Sequence, residues 1–250
     1  SSNGGMLTAK TLAASGNIVL SSFANEFSTI DLRSRNSTDT ANAAGTISYT
    51  DASFFDINAI STTNTINLIS GGIITDSGVI TGSTLTTSSV GGVVLNSANT
   101  VTGFNATNTG GGAITLVNTA APLTITGISQ TGSGAITVNN TGSIAITGSI
   151  AGAANAVNLT SSGAITETGV GAVSTTGTLT TSTVTGLGLT GAGTNNISTL
   201  NASNSGVGAI NIANTGALTI TGISQTGSGS ATIINTGNLN ITGSISTGGS

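Results

Sequence analysis

Apolar and polar residues alternate with a period of two along most of the chain. In Ala135-Ile-Thr-Val138, Ile136 and Val138 share one face and Thr137 takes the other; in Ser143-Ile-Ala-Ile-Thr147, Ile144 and Ile146 share a face. Short alternating runs of this kind predict half-buried β-strands rather than helices. Thr, Ile and Val suit a pleated surface, and the strong helix formers Glu, Lys, Arg and Gln are nearly absent. The alternation restarts after a Gly/Ser turn at Ala113, Ala135, Ala156, Thr178, Ala209 and Ser230. These starts are evenly spaced except for one wider interval, between Thr178 and Ala209. Less regular units start upstream at Thr65 and Thr84.

A longer repeat overlies the short one. The string Leu-Thr-Ile-Thr-Gly-Ile-Ser-Gln-Thr-Gly-Ser-Gly fills Leu123–Gly134 and returns unchanged at Leu218–Gly229. Ile146-Thr-Gly-Ser-Ile150 returns as Ile241–Ile245, and Asn67–Gly78 resembles Asn158–Gly169. The long repeat reads as about four short units, one of them carrying an insertion. It divides the chain into irregular, charged and aromatic coils over 1–64, a first super-repeat over 65–155 and a second over 156–250.

Turn residues punctuate the strands. Asn140-Thr-Gly142, Asn214-Thr-Gly216 and Asn235-Thr-Gly237 each precede one. Asn bonds its own backbone in turns, and Gly accepts positive φ. The corresponding site Asn118–Pro122 holds the only proline, at a strand entry. Short strands, tight turns and a period of about 21 residues predict a right-handed parallel β-helix, an all-β solenoid in which each coil pairs with its neighbours. Ile114, Ile136, Val157 and Leu179 are then expected to stack as one inward ladder, and Leu116, Val138 and Leu159 as a second. Asn118 and Asn140 are expected to form an asparagine ladder at a turn. About twelve coils give a rod of about 55–60 Å.

Composition narrows the function. Apolar residues make up 36% and aromatics 2%, which suits a narrow core of small and medium aliphatic side chains. Only 4% of residues are charged and the formal net charge is −4, so the chain lacks the basic surface that nucleic acid requires. No apolar run approaches the ~18 residues of a spanning helix. A membrane β-barrel expects longer strands and aromatic girdles. With no Cys there is neither disulfide nor thiolate chemistry, and the start Ser1-Ser-Asn-Gly-Gly reads as an internal or processed piece of something longer.

The amino-terminal segment differs. It carries eight of the ten charges (Lys10, Glu26, Asp31, Arg33, Arg35, Asp39, Asp51 and Asp56) and five of the six aromatics (Phe23, Phe27, Tyr49, Phe54 and Phe55). Arg33–Gly45 reads as a polar excursion. The plain reading is a wider or capped core; the sharper one is a binding feature projecting from the rod.

With no His and no Cys, the commonest acid–base, nucleophilic and metal-ligating groups are missing. Asp51 and Asp56 are the nearest candidates for paired carboxylates, and as turn residues they read as structural. No catalytic, cofactor-binding or metal-ligating set is expected, nor any cofactor, and the chain is not expected to be an enzyme. The sequons at Asn36, Asn105, Asn139, Asn158, Asn196, Asn201 and Asn240 read as chance in so Asn- and Thr-rich a chain. An outward threonine ladder is expected from Thr124, Thr126 and Thr147 and from Thr219, Thr221 and Thr242, broken at Ala145 and Asn240. A regular Thr array can match ordered water, so an ice- or glycan-binding solenoid is the alternative function.

Phrases such as Gly112-Ala-Ile-Thr-Leu116 and Asn214-Thr-Gly-Ala-Leu-Thr-Ile-Thr-Gly222, recurring from one short unit to the next, resemble the filamentous-haemagglutinin class of two-partner-secretion exoproteins, to which autotransporter passengers are similar. The resemblance implies a right-handed β-helical fibre on a bacterial surface that adheres to cells, surfaces or copies of itself. The secretion domain of that class typically carries an Asn-Pro motif, whereas Pro122 here follows Ala121. The likeness is therefore to the repetitive shaft. The expected function is an extracellular structural or adhesive filament, with itself or cell-surface glycans as partners, no nucleic acid and no spanning segment. The end Ile241–Ser250 shows no charged, proline-bearing or helical cap, so end-to-end association insensitive to salt is expected.

Overall fold

The computed structural model describes residues 4–22 and 25–248. Phe23 and the end residues Gly249 and Ser250 of the expected uncapped terminus lie outside the described residues. The chain is a parallel β-solenoid of about eleven turns with about 21 residues per turn. No helix occurs among the described residues.

Two inward columns organise the core. The first runs Phe55, Ile74, Val93, Ile114, Ile136, Val157, Leu179, Leu200, Ile220 and Ile241, each residue in register with the next. The second runs Ile18, Ile47, Ile66, Leu85, Phe104, Ile125, Ile146 and Glu167. It resumes through Leu189, Ile212 and Ile233. Almost all of these aliphatic positions are sealed from solvent, because each coil buries its apolar edge against the coils on either side. The expected ladders Ile114–Ile136–Val157–Leu179 and Leu116–Val138–Leu159 are both present.

The register refines the long repeat. Ile125, in the first copy of the duplicated string, belongs to the second column; Ile220, its counterpart in the second copy, belongs to the first. The repeat of about four coils thus advances by a further half coil, and equivalent sequences lie on different faces. The same shift explains the wide interval between Thr178 and Ala209. It is not an insertion: Leu179 pairs with Leu200 one ordinary coil later, and Ala209 opens the strand of the other face. About eleven turns rather than about twelve result partly because one coil is long. Ile18 and Ile47 are partners across that long coil, and the excursion between Arg35 and Asn42 fills its extra length.

Polar groups also enter the interior, at the corners of the coil. Asn118 Nδ2 donates to Asn140 Oδ1 at 3.0 Å and to the Val101 carbonyl at 3.0 Å, while Asn118 Oδ1 accepts from Val101 N at 2.9 Å. This is the expected asparagine ladder. Asn108 with Gln130, Asn204 with Gln225 and Asn214 with Asn235 repeat the device. These amides satisfy turn backbone that burial would otherwise strand. The turn glycine Gly142 has φ +125°, and a Cβ there would collide with the Ala120 carbonyl oxygen of the preceding coil.

Near the amino end two aromatic side chains enter the core. Tyr49 and Phe55 are fully buried, edge to face, with ring centroids 4.9 Å apart. Phe54 faces outward instead.

Candidate functional site

The six threonines expected to form a ladder divide between two faces. Thr124 pairs with Gly103 and Ala145 beside one column, and Thr219 pairs with Thr199 and Asn240 beside the other. Their neighbours at the coil bends are already engaged. Thr126 Oγ1 donates to the Phe104 carbonyl at 3.3 Å, and Thr147 Oγ1 to that of Ile125 at 3.2 Å. Thr221 Oγ1 donates to the Leu200 carbonyl at 3.0 Å, and Thr242 Oγ1 to that of Ile220 at 3.3 Å. These four hydroxyls clip one coil to the preceding one.

Asp51 and Asp56 are not brought together as a carboxylate pair. Asp51 is fully buried and accepts from Tyr49 Oη at 2.5 Å, Ser53 N and Oγ at 2.9 Å and Phe27 N at 3.1 Å. Burial first, and then the Asp51 carboxylate, push the Tyr49 phenol up, so it stays a donor. Asp56 is on the outer side of its strand, accepting from Thr75 Oγ1 at 2.9 Å and Ser77 Oγ at 2.5 Å. Both act as turn and coil fasteners.

Two other carboxylates are drawn out of solvent, Asp76 in part and Glu167 almost wholly. Asp76 follows Ile57 in register and accepts from Asn96 N at 2.7 Å and Asn99 Nδ2 at 2.8 Å. Glu167, its counterpart in the second super-repeat, accepts from Gly191 N and Asn195 Nδ2, both at 3.0 Å. Burial pushes both carboxyls up, against the lowering effect of these donors. The parity of Ile165-Thr-Glu167 already places Glu167 inward, and that is the signal available in the sequence.

The remaining cluster is the charged one. Thr8, Lys10 and Leu12 on the strand Met6–Leu12 pair with Asp31, Arg33 and Arg35 on Thr29–Arg35; Asp31 is buried beneath this surface, and the other five reach solvent. The outward surface there lines a cavity of about 510 Å³ together with Asp39 of the excursion. Arg33 grips Asp31 through Nε at 2.5 Å and Nη2 at 2.8 Å. Asp39 accepts from Lys10 Nζ at 2.6 Å and Arg35 Nε at 3.0 Å, and both cations hold its carboxyl below the usual range. The sequence marks this region as a candidate binding feature without naming a constellation. The available signal is the one-coil separation of Lys10 from Arg33.

Among the described residues, no group of three or more potential ligands gathers to hold a metal ion. No helix of the described residues is long and apolar enough to cross a membrane. No family model matches the chain, and neither a curated protein nor a solved structure matches it.

Proposed function

We propose that this chain is a segment of an extracellular structural or adhesive rod, of the kind that two-partner-secretion exoproteins use as a shaft on bacterial surfaces. The observation that carries the reading is the pair of inward columns running from coil to coil over about eleven turns. At about 4.8 Å per coil such a stack spans about 50 Å. Repetition on this scale serves reach and surface, and the charge-poor exterior offers little to repel neighbours.

Association end to end belongs to the same reading. A solenoid edge leaves strand backbone unpaired, and such an edge favours addition of a further coil, from the same polypeptide or from another copy. Electron micrographs and sedimentation of the purified chain test this. The expected result is rods that lengthen in multiples of the single unit, with little dependence on salt. Strictly single rods at high concentration, or assemblies that dissolve in moderate salt, would overturn the assembly. Failure of the surface-displayed chain to retain cells or matrix would overturn adhesion.

A further inference from the structure

All three cationic side chains of the sequence, Lys10, Arg33 and Arg35, line one cavity of about 510 Å³. That volume falls within the range of about 300–1,000 Å³ typical of small-molecule sites. Every charged side chain outside the cavity, Glu26, Asp51, Asp56, Asp76 and Glu167, is acidic. The cavity is therefore the one place on this chain where an anionic group can meet cationic side chains.

The donors are unequally committed. Arg35 is taken up by the excursion: Nε and Nη2 go to the carboxylate and carbonyl of Asp39, at 3.0 and 3.1 Å, and Nη1 to Asn42 Oδ1 at 2.5 Å. Arg33 uses Nε and Nη2 on Asp31, which leaves Nη1 available. Lys10 has one bond, to Asp39, and two further ammonium hydrogens. The Arg33 and Lys10 side chains are 45% and 40% exposed, so these donors reach solvent. They project from residues paired across adjacent coils, and strands in register lie about 4.8 Å apart.

We propose that this cavity binds a carboxylate-bearing sugar, a uronate or similar sugar acid, with its carboxylate between Lys10 Nζ and Arg33 Nη1. The carboxylates of Asp31 and Asp39 select the class. Both repel a compact multiply charged anion such as sulfate or phosphate, and the exposed Asp39 carboxylate accepts hydrogen bonds from sugar hydroxyls. Thr8 adds a hydroxyl to the same wall. Among the described residues the excursion exists in only this coil, and Asp39 holds a left-handed φ of 57° at its tip under the grip of two cations. The proposal is independent of the rod reading, because it needs only the first coils to be folded.

The test is an NMR titration of the full chain with glucuronate, with glucose and inorganic sulfate as comparison ligands. The expected result is a saturable shift of the Arg33 Nε–H signal and of amides in 8–10 and 31–35, absent with glucose and weaker with sulfate. K10Q and R33Q should each weaken binding by at least about tenfold. K10Q alters a partly exposed side chain and should leave the unfolding midpoint unchanged, so it decides the matter if R33Q compromises the fold by stranding Asp31. No saturable shift up to about 50 mM glucuronate would overturn the proposal. So would undiminished binding to K10Q, or sulfate binding more tightly than glucuronate.

Discussion

Asn195 Nδ2 donates to Glu167 Oε2 at 3.0 Å, and the carboxylate it meets occupies the column in which Ile146 lies one coil before and Leu189 one coil after. Glu167 is only 8% exposed, and its other oxygen, Oε1, has no hydrogen-bond partner. A charged group has been placed where its neighbours in the column are aliphatic, and half its acceptor capacity is unused.

The pH response follows. Burial raises the folded-state pKa of Glu167 above its ordinary value, so the folded chain binds that proton more tightly than the unfolded chain. Stability is then greatest below the unfolded pKa and declines as pH rises through the interval up to the raised folded value. Asp76 contributes in the same direction. Thermal melts between about pH 4 and pH 7 should show the melting temperature falling toward neutrality. E167Q should raise it at neutral pH and flatten part of the slope, with D76N removing more. A slope unchanged in both variants would contradict the assignment.

Ile136 is fully buried between Ile114 and Val157. Ile136→Asp places a carboxylate there with no cation near, at a cost of several kcal/mol. Ile136→Ala costs about 2–5 kcal/mol by leaving a cavity. Denaturant unfolding checks both, and a wild-type midpoint for the aspartate variant would refute the coil register.

Removing the Asn118 side chain strands Val101 N–H and the Asn140 oxygen inside a coil corner. Each stranded group costs about 1–3 kcal/mol. Asn118→Ala, Asn140→Ala and the double variant should be non-additive by about 0.5–3 kcal/mol, as a double-mutant cycle would measure. Additive losses would mean the two amides do not work as a pair.

Two glycines with positive φ separate crowding from conformation. Gly142 (φ +125°) is pressed against the Ala120 carbonyl, whereas a Cβ on Gly169 (φ +60°) would meet nothing within 4 Å. Gly169→Ala should cost about 1–2 kcal/mol, the strain of a left-handed alanine. Gly142→Ala should cost more, because the coil-to-coil spacing must open as well. Equal losses by calorimetry would show that steric contact between coils is not limiting.

The strands, their inward parity and the Asn118–Asn140 pair were legible because each is a local pattern. Period-two alternation identifies Ile136 and Val138 as inward whatever lies across the coil. Which face of the coil a strand occupies is not local: it depends on the summed lengths of all intervening turns. That is why Ala209 looks like the next restart after Thr178, when Leu200 is Leu179's partner. The candidate site was less readable for a related reason. Lys10, Arg33 and Arg35 announce an unusual segment, but their convergence with Asp39 depends on where the excursion folds back, through the Arg35–Asn42 bridge and the Asn36 side chain that accepts from Thr40 N at 2.9 Å.

The half-coil advance of the long repeat bears on how such a solenoid meets its surroundings. Thr126 and its copy Thr221 follow Ile125 and Ile220, which belong to different columns, and the duplicated string is displaced along the axis by roughly four and a half coils, about 20 Å. A duplication closing on whole coils would stack every copy on one side and give the solenoid a front and a back. This one deals the copies out alternately, so whatever chemistry a repeat displays is offered to both flanks in a staggered series. A solenoid decorated in that way presents the same chemistry on two sides without turning.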